Sequence, residues 1–176
     1  MKRIITAFTA SIAMFFSSCF KDEVDNYTTV KPQVDMREFF NGDVVGWGVL
    51  FDYQGRKTRH FTFTIKGTWD GNKGKMEEYF SFNDGEQSER IWMIDFSDDS
   101  TFKATAADVV GEAKGKQKGN AINLKYVLKV PYGKSTIDLD MDDWMYLVDE
   151  NTLMNRTSMH KLGIRVGELM IYMSKK

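Results

Sequence analysis

From Gly42 onward, apolar and polar residues alternate with a period of two. Successive side chains of an extended chain point to opposite faces, so this pattern predicts strands with one dry and one wet side. Phe61-Thr62-Phe63-Thr64-Ile65-Lys66 sets three apolar residues on one face. Ile122, Leu124, Tyr126, Leu128 and Val130 do the same opposite Asn123, Lys125 and Lys129, and Ile137, Leu139 and Met141 alternate with Asp138, Asp140 and Asp142. Ile164, Val166, Met170 and Tyr172 continue the pattern. Gln54-Gly55, Asp70-Gly71-Asn72, Asn83-Asp84-Gly85, Ser97-Asp98-Asp99, Tyr132-Gly133 and Asp149-Glu150-Asn151 punctuate these runs, several with the glycine that tight hairpins require. The pattern predicts an all-β domain of about nine or ten strands, with one short helix near Met36 to Phe40. Hairpin-linked strands with one apolar face close readily into an antiparallel up-and-down β-barrel, because closure removes exposed edges. A two-sheet sandwich is the second reading. A membrane-spanning barrel fits poorly, because lysines on the polar faces suit solvent.

The first residues read differently. Lys2 and Arg3 precede Ile4–Phe16, 13 residues without a charge. That run is too short to cross about 30 Å of hydrocarbon as a helix, and has the length of a signal-peptide core. Phe16-Ser17-Ser18-Cys19 resembles the lipobox of bacterial lipoproteins, with Phe16 in the position where that motif prefers leucine. The resemblance implies a signal peptide over 1–18 and a lipidated Cys19. Several acyl chains anchor firmly where one would not. Phe20 stands where the lipoprotein sorting rule places aspartate for inner-membrane retention, which implies an outer-membrane lipoprotein facing the periplasm. Residues 19–36 then form the lipidated N-terminus and a polar tether, and 37–176 form the barrel domain.

Composition narrows the function. With 24 Lys and Arg against 25 Asp and Glu, the net charge of −1 supplies no field for nucleic acid. One cysteine and two distant histidines, His60 and His160, do not make a zinc site. No cofactor is expected. Gly133-Lys134-Ser135-Thr136 lacks the leading glycine of a phosphate loop and reads as a hairpin. Small residues recur every four positions from Ala107 to Gly119, but the lysines between them point to a bulged hairpin or barrel corner. Asp138-x-Asp140-x-Asp142 opens like a calcium loop, yet Asp143 replaces the glycine such a loop needs. Three carboxylates turned inward would raise one another's pKa; turned outward they are a wet face. The spacing of Met141 and Trp144 predicts a bulge. Catalytic motifs are scarce, and Asp108 and Glu112 are the acids to test first for activity.

Gly67-Thr68-Trp69 resembles the Gly-x-Trp signature of lipocalins, in which a late arginine, here Arg156 or Arg165, covers the indole. More broadly, Phe39-Phe40-Asn41-Gly42, Gly46-Trp47-Gly48, Gly67–Gly71, Asp84-Gly85-Glu86 with Arg90 and Trp92, Ala107–Ala113, Asp142–Tyr146, and Asn155-Arg156 with Gly167-Glu168 resemble a family of bacterial lipoproteins of unknown function, domain of unknown function 3833. The resemblance implies a lipocalin-like (calycin-like) envelope domain and supplies no catalytic residue.

The candidate ligand-binding residues are Trp47, Trp69, Arg90, Trp92, Asp108, Glu112, Trp144, Asn155, Arg156 and Glu168. Polar groups at the base of an apolar barrel would orient a lipid or other apolar molecule. Eleven methionines suit such a lining. The expected function is an envelope carrier of a lipid or apolar ligand; the alternative is a protein-interaction or structural module without catalysis.

Overall fold

The computed structural model describes residues 23–176. The signal peptide expected over 1–18 and the lipidation expected at Cys19 lie outside the described residues. Ten strands follow in chain order: β1 (Gly42–Asp52), β2 (Lys57–Asp70), β3 (Lys73–Phe82), β4 (Gln87–Phe96), β5 (Thr101–Thr105), β6 (Ala113–Lys118), β7 (Ala121–Tyr132), β8 (Ser135–Asp149), β9 (Thr152–Lys161) and β10 (Ile164–Lys175). Each pairs antiparallel with its neighbours and β10 pairs back onto β1, so the sheet is a closed up-and-down barrel. No described helix is long and apolar enough to cross a membrane.

The period of two sets what is inside. Phe61, Phe63 and Ile65 of β2, Trp92, Ile94 and Phe96 of β4, and Ile122 and Leu124 of β7 are buried in one continuous core. Burying each such side chain contributes about 1.5–3 kcal/mol. In β10 the expected face is the wrong one. Leu169, Ile171 and Met173 pack against or within the core, while Ile164, Val166, Met170 and Tyr172 are exposed. Both parities of that strand are apolar, and a bulge between Arg165 and Gly167 shifts its phase, so alternation could not choose between faces.

The segment ahead of the barrel is not a free tether over its described part. A 3-10 turn, Val24–Tyr27, lies on the outside of β7 and β8, where Val24 packs with Ala121 and Trp144. Tyr27 sits 6.0 Å from the Trp144 ring and 5.5 Å from Tyr146. The chain then turns under one end of the barrel. The Val34 amide donates to the Gly119 carbonyl at 2.7 Å, and the Met36 amide to Gln117 Oε1 at 2.9 Å. Asp35 caps the helix α1 (Met36–Phe39), as its side chain accepts from the Arg37 amide at 2.8 Å. Met36, Phe39 and Phe40 are buried and plug this end. Two glycines let this segment dock, one at the plug and one at the 3-10 turn. A Cβ at Gly67 would meet the Phe40 carbonyl oxygen at 1.6 Å, and one at Gly119 would meet that of Tyr27 at 1.6 Å.

The same segment accounts for Trp144. β8 runs through Asp142, Asp143 and Trp144 without the expected bulge. Asp143 faces inward and Trp144 outward, and the indole is buried because the 3-10 turn covers it.

One side of the barrel is incomplete. β5 pairs with β4 only over Met93–Phe96, and β6 pairs with β7 only as far as Lys125. Beyond that point no strand lies between β4 and β7. The loop 106–112 fills the gap, with Val109 bridged to Leu128 and the Val110 amide donating to the Val127 carbonyl at 2.9 Å. The segment from Ala107 to Gly119 is thus this loop followed by β6, a corner of the barrel and not a packing helix.

Candidate functional site

The interior holds a cavity of about 100 Å³ above the plug. Phe61, Phe63, Phe80, Trp92, Met76 and Met145 are among the residues of its apolar wall. Within that wall two polar groups face each other from opposite strands.

The first is on β3 and β4. Glu78 and Arg90 are cross-strand partners on the inward face. The Arg90 guanidinium grips Asp108 of the loop 106–112, with Nε at 2.9 and 3.1 Å and Nη2 at 2.7 Å. This forked bond ties β4 to the loop across the gap. Arg90 Nη1 stays 3.8 Å from Glu78 Oε2. The guanidinium also lies 5.9 Å from the Phe80 ring and 5.7 Å from that of Trp92. Burial pushes the Glu78 carboxyl up to about 7 despite the pull of Arg90.

The second is on β8 and β9. Asp143 accepts a hydrogen bond from Asn155 Nδ2, which also donates to the Trp144 carbonyl at 3.0 Å. The Thr157 hydroxyl donates to Asn155 Oδ1 at 3.3 Å. Burial pushes the Asp143 carboxyl up to about 6, opposed by Asn155 and Thr157. Tyr126 of β7 stands between the groups, its ring 5.4 Å from Trp92 in an edge-to-face contact. Burial raises its hydroxyl pKa, so the hydroxyl stays neutral.

The predicted residues therefore divide. Arg90, Trp92 and Asn155 line the cavity, and Asp108 reaches it through Arg90. The others do not. Trp47 is half-exposed on the outer face, tilted against Tyr172 at 5.6 Å. Trp144 lies outside under Tyr27. Arg156 and Glu168 pair with each other at 2.9 Å on the outer surface. Glu112 is exposed and holds Lys103 at 2.8 Å. Trp69 packs by the plug, 6.0 Å from Phe96, and its indole donates to the Phe40 carbonyl at 3.3 Å. Arg156 and Arg165 both bind Glu168, so neither covers Trp69 as in the lipocalin arrangement. Arg37 lies over Phe96 instead, 4.9 Å from its centre.

Glu78, Tyr126, Asp143 and Thr157 were not singled out as site residues, though all four line the cavity. Glu78 carried a readable signal: it falls in phase with Met76 and Phe80, so a carboxylate occupies an apolar face. Asp143 likewise falls in phase with Leu139, Met141, Met145 and Leu147. Asp138, Asp140 and Asp142 have the opposite parity and form an outer face. Among the described residues no group of three His, Cys, Asp or Glu is arranged to hold a metal ion.

The family DUF3833, described as a protein of unknown function, matches residues 13–175. The chain belongs to that family. No curated protein matches it. Solved structures of similar fold include the following two. A protein of unknown function from the DUF3598 family of Nostoc punctiforme aligns with a TM-score of 0.57 at 13% identity. That alignment covers 83% of this chain and 51% of the Nostoc protein, so the DUF3833 chain spans about half of that relative. The S-type phycobiliprotein lyase of Guillardia theta aligns with a TM-score of 0.54 at 8% identity, over 89% of this chain and 99% of the lyase. At these identities the likeness is one of fold, and the DUF3833 barrel is lipocalin-like.

Proposed function

We propose that this DUF3833 protein is a cell-envelope lipoprotein whose barrel binds or carries a small, mostly apolar molecule. One observation carries the ligand reading: Glu78, Arg90, Asp143 and Asn155 converge on a cavity with apolar walls. A core has no use for partly unpaired carboxylates, which are costly to bury, whereas a binding site uses a few placed polar groups to orient its occupant. The cavity also limits the occupant. About 100 Å³ is below the roughly 300–1,000 Å³ of typical drug-sized sites and nearer the ~150 Å³ that holds benzene. A whole acyl chain needs the methionines of the wall to move, which their flexible side chains allow. The phycobiliprotein lyase gives a precedent for chemistry on this kind of barrel and lends no residue.

Native mass spectrometry of the purified full chain tests the reading: a bound small molecule should be released on unfolding. A chain that carries none, and that no small apolar compound stabilises against heat, refutes it. Anchoring rests on the lipobox resemblance at Cys19. Labelled palmitate should be incorporated by the parent and not by Cys19→Ser.

The alternative, a protein-interaction module, draws on the outer face. Trp47, Met154, Met170 and Tyr172 lie on the adjacent strands β1, β9 and β10 and are all more than a third exposed. Photo-crosslinking from position 47 in cells should then capture one stable partner.

A further inference from the structure

The charges inside the barrel do not balance, and the imbalance points to the kind of molecule it takes. Among the described residues lining the cavity, Arg90 is the one cation, facing Glu78 and Asp143. Its guanidinium is already committed to Asp108 through three contacts of 2.7–3.1 Å. That leaves Glu78 with the Trp92 indole and a cation no nearer than 3.8 Å, and Asp143 with the neutral partners Asn155 and Thr157. A carboxylate ligand would find only the Nη1 edge of Arg90 not bonded to Asp108, and would meet Glu78 and Asp143 on arrival. A cation meets the opposite conditions: two carboxyls with no close cation of their own, and the aromatic rings of Phe61, Phe63 and Phe80 along the wall.

We infer that the cavity takes a small organic cation, with an apolar body about the size of one ring and an ammonium group directed at Glu78 and Asp143. This rests on the reading of the barrel as a ligand binder and goes further by fixing the sign of the ligand's charge. The proton occupancy of the site agrees. Burial holds Glu78 near 7, so at neutral pH a proton partly does the neutralising, and an arriving ammonium would expel it.

Three probes of one shape test this: benzylammonium, benzyl alcohol and benzoate, titrated calorimetrically into the full chain at pH 7. Benzylammonium should bind at least about tenfold more tightly than benzyl alcohol, with benzoate weakest. Its apparent heat should differ between buffers of different ionisation heat, reporting the released proton. Glu78→Gln and Asp143→Asn should each weaken benzylammonium about tenfold and narrow its advantage over benzyl alcohol by the same factor. Benzoate or benzyl alcohol binding as tightly as the cation overturns the inference while leaving the barrel a ligand binder. If none of the three binds, this inference falls, and the ligand reading is decided by the native mass spectrometry above.

Discussion

Replacing Glu78 by glutamine should make this protein more stable, and only at neutral and alkaline pH. The side chain is inside the barrel with 12% of its surface exposed, so it is little screened by solvent. In the folded chain its carboxyl holds a proton up to about pH 7, whereas the ordinary value is 4.5. Between those values the native state binds more protons than the unfolded one, so stability falls as pH rises through the window. A displacement from 4.5 to about 7 corresponds to on the order of 3 kcal/mol. Glutamine keeps the shape of the protonated acid and cannot ionise. Parent and Glu78→Gln should therefore unfold at similar urea concentrations at pH 4. They should separate between pH 5 and 7, with the variant ahead by about 3 kcal/mol at pH 8. A gap that stays constant from pH 4 to 8, or a parent more stable at pH 8, would show that Glu78 is well paired and that the reasoning is wrong.

Asp143→Asn should give the same pattern in a lower window, from the ordinary 3.8 to about 6, read by the same urea series. Arg90→Met removes the cation that Glu78 and Asp108 share; the expected loss is about 3–5 kcal/mol at pH 8, with much of it recovered at pH 5, where Glu78 is protonated. Gly67→Ala places a methyl 1.6 Å from the Phe40 carbonyl oxygen and must push the plug outward. A fall of at least about 1–3 kcal/mol and faster proteolysis within residues 24–40 are expected, and unchanged melting would contradict the packing. Leu162, 88% exposed, sits in a hairpin with φ 51°, so Leu162→Asn should raise stability by roughly 1 kcal/mol in thermal melts.

The barrel was legible because its inner face is written in one parity over long runs. Phe61, Phe63 and Ile65, or Ile122 and Leu124, admit one orientation when the other parity is threonine, asparagine or lysine. β10 lacked that contrast, with apolar residues on both faces. Trp144 misled for a different reason: an outward indole is buried by residues 24–27, a contact between parts of the chain more than a hundred positions apart that no local pattern records. Among the polar residues, Arg90 and Asn155 shared the inner parity and were found inside, whereas Trp47, Arg156 and Glu168 belong to the outer one. Glu78 was overlooked although it breaks an apolar face. That break was the informative signal.

The docked 3-10 turn has a mechanical consequence. If Cys19 carries the lipid, only four peptide links lie between it and Glu23, a span of at most about 14 Å. A leash that short, fastened to the flank beside Trp144, would leave the domain little freedom to tumble at the bilayer. The plugged base would stay close to the headgroups, and the rim formed by the turns at Gly55, Gly85 and Gly133 would be held pointing into the aqueous space.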